Sequence, residues 1–241
     1  MNKAFVKLPN RGLIHLEGED RHDFLQHLIT NDMQKLSSQA PLYAWFLTPQ
    51  GKFLHDFYVI EGDGFTLIDC EGGARAQDLY KRLKKFRLRA KVQISVEESN
   101  DVYVDFDFNR SFEKPDGEEK TLAEWDAHRI RAGIPDGSRD LIPEKDTPLE
   151  CNLDKLNGVS FDKGCYIGQE ITARMNLRDI VRKHLRTVEI TSGPTPEAFV
   201  DIHLNGKLVG NMRSSSGNLG LAMIKDEHIS EFAKSPIQVI A

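Results

Sequence analysis

Cysteine is scarce in this chain of 241 residues, which contains only Cys70, Cys151 and Cys165. Three scattered cysteines do not describe a disulfide framework. They also lack the close pairs that zinc and iron-sulfur sites normally draw from one turn. The eight histidines add no pair in H-E-x-x-H spacing. We therefore expect no resident metal site, and a cysteine that matters here matters as a thiol.

Long apolar runs are missing as well. No stretch approaches the roughly 18 residues that cross a bilayer, and the start MNKAFVKLPN lacks the apolar segment of a signal peptide. The sequence therefore predicts a soluble, intracellular protein without a membrane partner.

An excess of positive charge is also absent, because 32 lysines and arginines face 37 acidic residues and the net charge is -5. No global field draws such a chain onto nucleic acid. The exception is KRLKKFRLRAK at residues 81–91, which is either a local anion site or the solvated face of a helix. It lacks the interleaved exposed aromatic residues of a single-strand binder, so we do not expect direct nucleic-acid binding.

What the chain does contain is the composition of a globular protein, with 39% hydrophobic and 29% charged residues. Its length suggests between one and two domains, and three small modules would also fit. An Asn205-Gly206 pair predicts a hairpin near the C-terminus. Apolar periodicity predicts helices from Asp20 to Met33, over residues 74–86 and over residues 122–130, with strands at residues 13–16, 43–47, 53–60, 65–68, 91–96 and 102–108.

The densest unusual feature is KGCYIGQE at residues 163–170. Glycines bracket Cys165, so the backbone can approach a ligand or turn sharply on either side of the thiol. If a helix begins near Gly168, its positive end and Lys163 would both stabilise the thiolate. The alternative is that Cys165 is a small buried apolar residue between turn glycines.

At this segment the chain resembles the YgfZ-type folate-binding proteins. These are bacterial relatives of the glycine-cleavage T protein, an aminomethyltransferase, and of a mitochondrial iron-sulfur cluster assembly factor. The resemblance covers most of the chain and weakens over residues 108–121 and in the final module. Further matching segments are residues 18–25, 30–32, 50–52, 132–135, 148–150, 152–153, 158–161, 173–174 and 182–183, together with Trp125.

This resemblance implies an α+β fold, a three-lobed ring around a hole that admits tetrahydrofolate. Residues 1–40 and 98–180 would form a split α+β lobe carrying the signature. Residues 41–97 would form a ferredoxin-like lobe, and residues 181–241 a small C-terminal β-barrel. The expected location is the cytoplasm, or the mitochondrial matrix in a eukaryote.

The resemblance also implies a role: a tetrahydrofolate-binding factor that supports assembly or repair of iron-sulfur clusters in client enzymes, including tRNA-modifying ones. The partners would be those iron-sulfur enzymes or cluster-assembly proteins. In the family the lysine and cysteine of the signature are functionally important, which makes Lys163 and Cys165 the candidate catalytic residues. The candidate cofactor-binding residues are Trp125, Gly164, Tyr166, Gly168, Gln169 and Glu170.

Two residues depart from the relatives. Arg11 stands where some of them have a folate-contacting aromatic residue, and Arg131 stands where the T protein has a glutamate. Trp125 offers an indole for stacking on a flat ring, or else anchors a helix in the core. The alternatives to a cluster-assembly factor are a folate-dependent aminomethyl or methyl transferase or demethylase, and an adaptor whose basic helix docks an acidic partner.

Overall fold

The computed structural model describes residues 4–38, 40–97 and 101–240. Its strands are β1 (Ala4–Leu8), β2 (Arg11–Glu17), β3 (Leu42–Leu47), β4 (Phe53–Glu61), β5 (Phe65–Glu71), β6 (Gln93–Glu97), β7 (Val102–Asp105), β8 (Arg110–Ser111), β9 (Glu118–Glu119), β10 (Lys183–Ile190), β11 (Asp201–Leu204), β12 (Lys207–Ser216), β13 (Leu219–Lys225) and β14 (Ile237–Val239). The α-helices are α1 (Arg21–Gln26), α2 (Ala74–Phe86), α3 (Leu122–Arg131) and α4 (Gln169–Arg178). Short 3-10 helices occupy Met33–Lys35, Gly137–Arg139 and Asp226–Lys234.

These strands form three sheets, ordered β3-β4-β5-β2-β6, β8-β7-β1-β9 and β11-β12-β13-β10-β14. The mixture of sheets and helices confirms the α+β class. Strand β2 pairs with β5 and β6, so residues 11–17 lie in the sheet built by residues 42–97, although the predicted division groups residues 1–40 with 98–180. The predicted boundary at residue 98 lies outside the described residues.

Strand β3 separates two hydrophobic cores. Alternate side chains of a strand point to opposite faces. Phe46 therefore packs with α1 and α2, whereas Tyr43 and Trp45 pack with the C-terminal sheet and the loops before α4. All six residues of β3 are buried. The aromatic run lacks polar alternation because both of its faces are covered.

The helices match their predictions unequally. Helix α3 begins where predicted, because Thr121 Oγ1 accepts a hydrogen bond from Glu124 N and Glu124 in turn accepts one from Thr121 N. The predicted helix from Asp20 to Met33 is too long, because α1 ends at Gln26. After Ile29 the backbone turns toward β3, and Thr30 N donates to the Trp45 carbonyl at 3.0 Å.

The remaining predictions concern α2 and the C-terminal sheet. Helix α2 buries Ala76, Leu79 and Leu83 and turns most of the basic run toward solvent, as expected for a solvated face. Asn205 and Gly206 join β11 to β12 with positive φ at both residues, confirming the predicted hairpin. Among the described residues, no helix has the length and apolar character of a membrane span.

Candidate functional site

The signature residues 163–170 form a loop that leads directly into α4. Gly168 caps the helix with a φ of 83°, a left-handed value that favours glycine. A Cβ at Gly168 would lie 2.6 Å from the Thr48 carbonyl oxygen and 3.0 Å from Gly51 Cα. The signature therefore packs backbone to backbone against the turn at residues 48–51, and helix α4 begins where the glycine predicts.

Cys165 differs from the other two cysteines in its exposure. Its side chain is exposed, whereas Cys70 and Cys151 are buried, and burial raises the pKa of the Cys70 thiol to about 12. Cys165 is therefore not the small buried apolar residue of the alternative interpretation. Its neighbour Gly164 is exposed too, and a Cβ built on Gly164 would meet no atom within 4 Å. Neither space nor backbone conformation requires a glycine there, so access to the adjacent thiol is an explanation consistent with the geometry.

Lys163 is buried, with 7% of its surface exposed. Its Nζ donates to the carbonyl oxygens of Ile29 at 2.8 Å and Asn31 at 2.6 Å, and it lies 5.0 Å from the ring centroid of Tyr166. Burial lowers the pKa of Lys163 to about 8, and Asp32 partly opposes this effect. The ammonium thus connects the signature to the N-terminal segment, and the predicted stabilisation of the thiolate stays a prediction.

The segment that receives Lys163 is itself tied to residues just before the signature. Thr30 Oγ1 donates to the Gly158 carbonyl at 2.6 Å, and Ser160 N donates to the Thr30 carbonyl at 3.0 Å. Asn31 Nδ2 donates to the carbonyls of Tyr43 and Asn157. These hydrogen bonds hold residues 29–31 and 157–163 together as one framework.

Beside this framework lies the aromatic cavity, a space of about 540 Å³. It is lined by Asn31, Lys35, Pro41, Leu42, Tyr43, Tyr58, Phe108, Ile134, Leu156, Asn157 and Val159. The rings of Tyr43 and Tyr58, opposite each other on β3 and β4, lie 4.9 Å apart between centroids. The Tyr43 hydroxyl accepts from Trp45 Nε1 at 3.0 Å and donates to Asp56 at 3.3 Å. The described lining therefore combines fixed aromatic rings with the cation of Lys35.

The predicted cofactor-binding residues of the signature do not line this cavity, as far as its described lining extends. Tyr166 is buried in the core that also contains Tyr43, and burial raises the pKa of its hydroxyl to about 12. Gly168 supports the turn at residues 48–51, while Gly164 and Glu170 are exposed and Gln169 is half-buried. Their predicted contacts with a cofactor stay predictions.

Trp125 lies behind the aromatic cavity. It is 6% exposed and packs against Val6 and Val104, and its ring centroid lies 5.3 Å from that of Phe108. Phe108 lines the aromatic cavity and also a second cavity of about 30 Å³ that includes Trp125. Trp125 thus supports one aromatic wall from the core, and stacking on a ligand stays a prediction for it.

The two arginines that depart from the relatives occupy different environments. Arg11 also lines the small cavity, and its Nε donates to Asp69 Oδ1 at 2.7 Å while Arg110 binds the other oxygen of Asp69 at 2.6 Å. Its guanidinium is therefore engaged in a buried ion pair. Arg131 is exposed. Within the described ranges, no group of three or more His, Cys, Asp or Glu residues could hold a metal ion.

The aromatic residues of the cavity were not among the predicted site residues. Tyr43, Tyr58 and Phe108 come from three separate segments, and each reads as an ordinary apolar position of a strand or its end. The one available signal was the pair of tyrosines at matching positions of two adjacent strands.

Known proteins resemble the chain at two levels. A family model described as the CAF17 C-terminal beta-barrel domain matches residues 182–239. The mitochondrial iron-sulfur cluster assembly factor IBA57 of Homo sapiens is 32% identical over 99% of this chain and 81% of the human protein. The same factor of Mus musculus is 30% identical over 97% of this chain and 79% of the mouse protein.

Solved structures show the same relationship at the level of the fold. The crystal structure of the glycine cleavage system aminomethyltransferase T from Bartonella henselae matches with a TM-score of 0.73 and 14% identity. The match covers 95% of this chain and 80% of that chain. These findings confirm the predicted fold related to the T protein, with its C-terminal β-barrel.

Proposed function

Because this chain belongs to the IBA57 family of iron-sulfur cluster assembly factors, we propose that it supports cluster assembly or repair through the thiol of Cys165, with tetrahydrofolate bound in the aromatic cavity. The proposed role of the thiol rests on one observation: the side chain of Cys165 is exposed beside Gly164, a glycine that the fold itself does not require. We also propose, more narrowly, that the chain is of the YgfZ type.

The thiol is suited to a transient role. Iron-sulfur clusters are commonly held by four thiolates, whereas the other two cysteines of the chain are buried. A cluster contacted by Cys165 would therefore take its remaining ligands from a partner, either a cluster-assembly protein or a client iron-sulfur enzyme. Clients that modify tRNA fit this scheme without direct RNA binding by this chain.

The aromatic cavity supports folate binding. Its volume of about 540 Å³ lies in the range of small-molecule sites. Tyr43, Tyr58 and Phe108 give the cavity aromatic surface for the flat pterin and aminobenzoyl rings, although the Arg110 guanidinium lies 3.7 Å from the centroid of the Tyr58 ring and covers part of it. Lys35 offers a cation for a glutamyl carboxylate. Bound tetrahydrofolate would supply a one-carbon carrier, and these residues would bind and orient it.

The proposed cellular location of this protein is based on that of its relatives. The human and mouse proteins are named mitochondrial, which supports the matrix alternative for a eukaryotic source and leaves the cytoplasm for a bacterial one.

The decisive experiment for cluster assembly is complementation of a deletion strain, with the activity of iron-sulfur enzymes as the readout. We expect Cys165→Ser to fail and Cys151→Ser, a matched change at a buried thiol, to rescue if it folds. Gly164→Val tests access to the thiol. Its side chain would extend into open space next to Cys165, so it should hinder a partner without disturbing the fold. Full rescue by both Cys165→Ser and Gly164→Val would contradict the proposed site.

Folate binding is tested separately by calorimetry with tetrahydrofolate. We expect Tyr58→Leu to weaken binding at least tenfold, about 1.4 kcal/mol, since stacking on aromatic rings contributes on this order. Tyr80→Leu on α2, outside the cavity lining, should leave the affinity unchanged. Equal binding by both variants would place folate elsewhere.

The transferase or demethylase alternative needs a carboxylate at the folate. Among the described residues that line the aromatic cavity there is none, and a fold neighbour at 14% identity carries the fold alone. Incubation with tetrahydrofolate and an aminomethylated or methylated donor separates the two: formation of methylene-tetrahydrofolate would support the transferase.

A further inference from the structure

Another cavity, the basic cleft, lies between the loop at residues 138–146 and strands β10 to β13 of the C-terminal sheet. Its volume is about 550 Å³. The cleft shares no lining residue with the aromatic cavity among the described residues. Its walls are mainly apolar, including Leu141, Ile142 and Met223. It is therefore a separate space of the size that small molecules occupy.

Arg213 of β12 is the unusual residue in this cleft. It is 2% exposed, and its Nη2 donates to Asp146 Oδ1 at 3.1 Å. Its Nε and Nη1 are buried and have no hydrogen-bond partner in the part of the chain that the structure describes. A buried guanidinium with unused donors is costly, and a charged N–H donor makes a strong hydrogen bond to a carboxylate oxygen. Nε and Nη1 lie on different edges of the guanidinium, so a ligand carboxylate would accept from one of them.

Asn211 adds an unused acceptor to the same cavity. It lies two residues before Arg213 on β12, and both side chains line the cleft. Its Nδ2 donates to the Phe199 carbonyl at 2.8 Å and to Asp201 at 3.1 Å. Both partners are acceptors, which fixes the orientation of the amide. The buried Oδ1 of Asn211 therefore remains an acceptor without a donor in the described structure.

The charge of the cleft favours an anion. Lys145, Lys183 and Lys225 join Arg213 along its lining, against two carboxylates, Asp146 and Asp201. Lys145 is exposed, and its ammonium has no ion pair or hydrogen bond to the described residues, so it is available to a ligand.

Together these features define one ligand chemistry. We propose that the basic cleft binds a carboxylate that carries a neighbouring N–H or O–H donor and an apolar group, such as an N-acylated amino acid. The carboxylate accepts from the unused Nη1 of Arg213, and the N–H donates to Asn211 Oδ1. The apolar group packs against Leu141 and Met223.

Phe199 is placed to cover the bound group. Its ring lies 5.5 Å from Arg213 Cζ, and the residue is 43% exposed. Its backbone is fixed in place by hydrogen bonds, since Phe199 N donates to the Met212 carbonyl at 2.8 Å. Rotation of the ring alone would therefore open the guanidinium to a ligand without moving the backbone.

Three probes separate the parts of this proposal: N-acetyl-leucine, N-acetyl-leucinamide and 4-methylpentanoate. Binding is followed by the methyl NMR signal of Met223 at low ionic strength. We expect the acid to bind at least tenfold more tightly than the amide, which lacks the carboxylate. The 4-methylpentanoate, which lacks the N–H, should bind with intermediate affinity. No saturation with N-acetyl-leucine at millimolar concentrations, or equal binding of the amide, would overturn the proposal.

Protein variants provide the second arm. Arg213→Lys keeps the charge but loses the planar guanidinium with its Nη1 donor, and we expect it to weaken binding of N-acetyl-leucine about tenfold or more. Because this residue is buried, Lys145→Ala is a second test in an exposed position, with an expected loss of about two- to fivefold. Lys155→Ala, exposed and outside the cleft, is its control. Unchanged affinity in both Arg213→Lys and Lys145→Ala would contradict the site.

A peptide distinguishes the source of the carboxylate. N-acetyl-Ala-Ala-Leu with a free C-terminus carries the same group at a chain end. If it binds more tightly than N-acetyl-leucine, the C-terminus of a protein is the source. If it binds equally or more weakly, the source is a free small acid. Either result retains the carboxylate chemistry of the site, whereas binding of the amidated peptide equal to the acid would overturn it.

Discussion

The buried ammonium of Lys163 makes a measurable prediction about pH. Burial lowers its pKa from the ordinary 10.5 to about 8. Between these values the unfolded chain holds a proton that the folded protein has released, so the free energy of unfolding rises with pH across this window. The full difference between the two pKa values corresponds to a rise of about 3 kcal/mol in the free energy of unfolding.

An opposing effect comes from the two carbonyls that Lys163 contacts. Hydrogen bonds from a charged group each stabilise by about 1.5–3 kcal/mol, and they favour the ammonium over the amine. With only 7% of the residue exposed and Asp32 as the one charged neighbour that raises the pKa, we expect burial to prevail. The rise should then lie between about 1 and 3 kcal/mol.

The assay is urea unfolding, followed by tryptophan fluorescence, from about pH 7 to about pH 10.5. The quantity of interest is the unfolding free energy of the wild type minus that of Lys163→Met, because other titrations cancel in it. It should rise over this range, while the corresponding difference for Lys155→Met, at an exposed lysine, stays flat. A flat or falling difference for Lys163→Met would refute the reasoning and show that the carbonyls outweigh burial.

Three further predictions concern the signature and a helix cap. Gly168→Ala should lower the free energy of unfolding by about 2–4 kcal/mol, because Gly168 has a positive φ and its Cβ would lie close to the Thr48 oxygen, whereas Gly164→Ala should change it by less than about 0.5 kcal/mol. Urea unfolding measures both changes, and equal effects of the two substitutions would contradict the described packing of Gly168. Iodoacetamide should label Cys165 alone in the folded protein, and mass spectrometry that finds a second labelled thiol before unfolding would refute the burial of the other two. Thr121→Ala removes the cap of α3 and should lower the free energy of unfolding by about 1 kcal/mol, again measured by urea unfolding. An unchanged free energy would show that the cap does not stabilise the protein.

Local signals in the sequence predicted the elements whose causes are local. Gly168 marks the start of α4 because only a residue tolerant of positive φ fits there, and Asn205-Gly206 marks its hairpin for the same reason. The helix at residues 20–33 was predicted too long because its apolar spacing continues past Gln26. The segment after Gln26 is instead drawn to β3, where Thr30 N donates to the Trp45 carbonyl, a partner that periodicity does not reveal.

The candidate site divides in the same way. Cys165 and Lys163 could be singled out because they share one short segment with unusual glycines. The aromatic cavity could not be predicted, because Tyr43, Tyr58 and Phe108 converge only when three segments pack together. The burial of Lys163 was also unforeseen, since its carbonyl partners lie 132 and 134 residues earlier in the chain.

That long separation has a consequence for biosynthesis. Residues 29–31 leave the ribosome well before Lys163, and their contact with it spans 134 residues. At a synthesis rate of about 5–20 residues per second, the N-terminal segment waits roughly 7–27 s for its partner. Contacts of such high sequence separation form late, because loop closure must precede them. The framework around the thiol is therefore completed only after residue 163 of the 241 has been synthesised, and the nascent chain gains no assembled site before then.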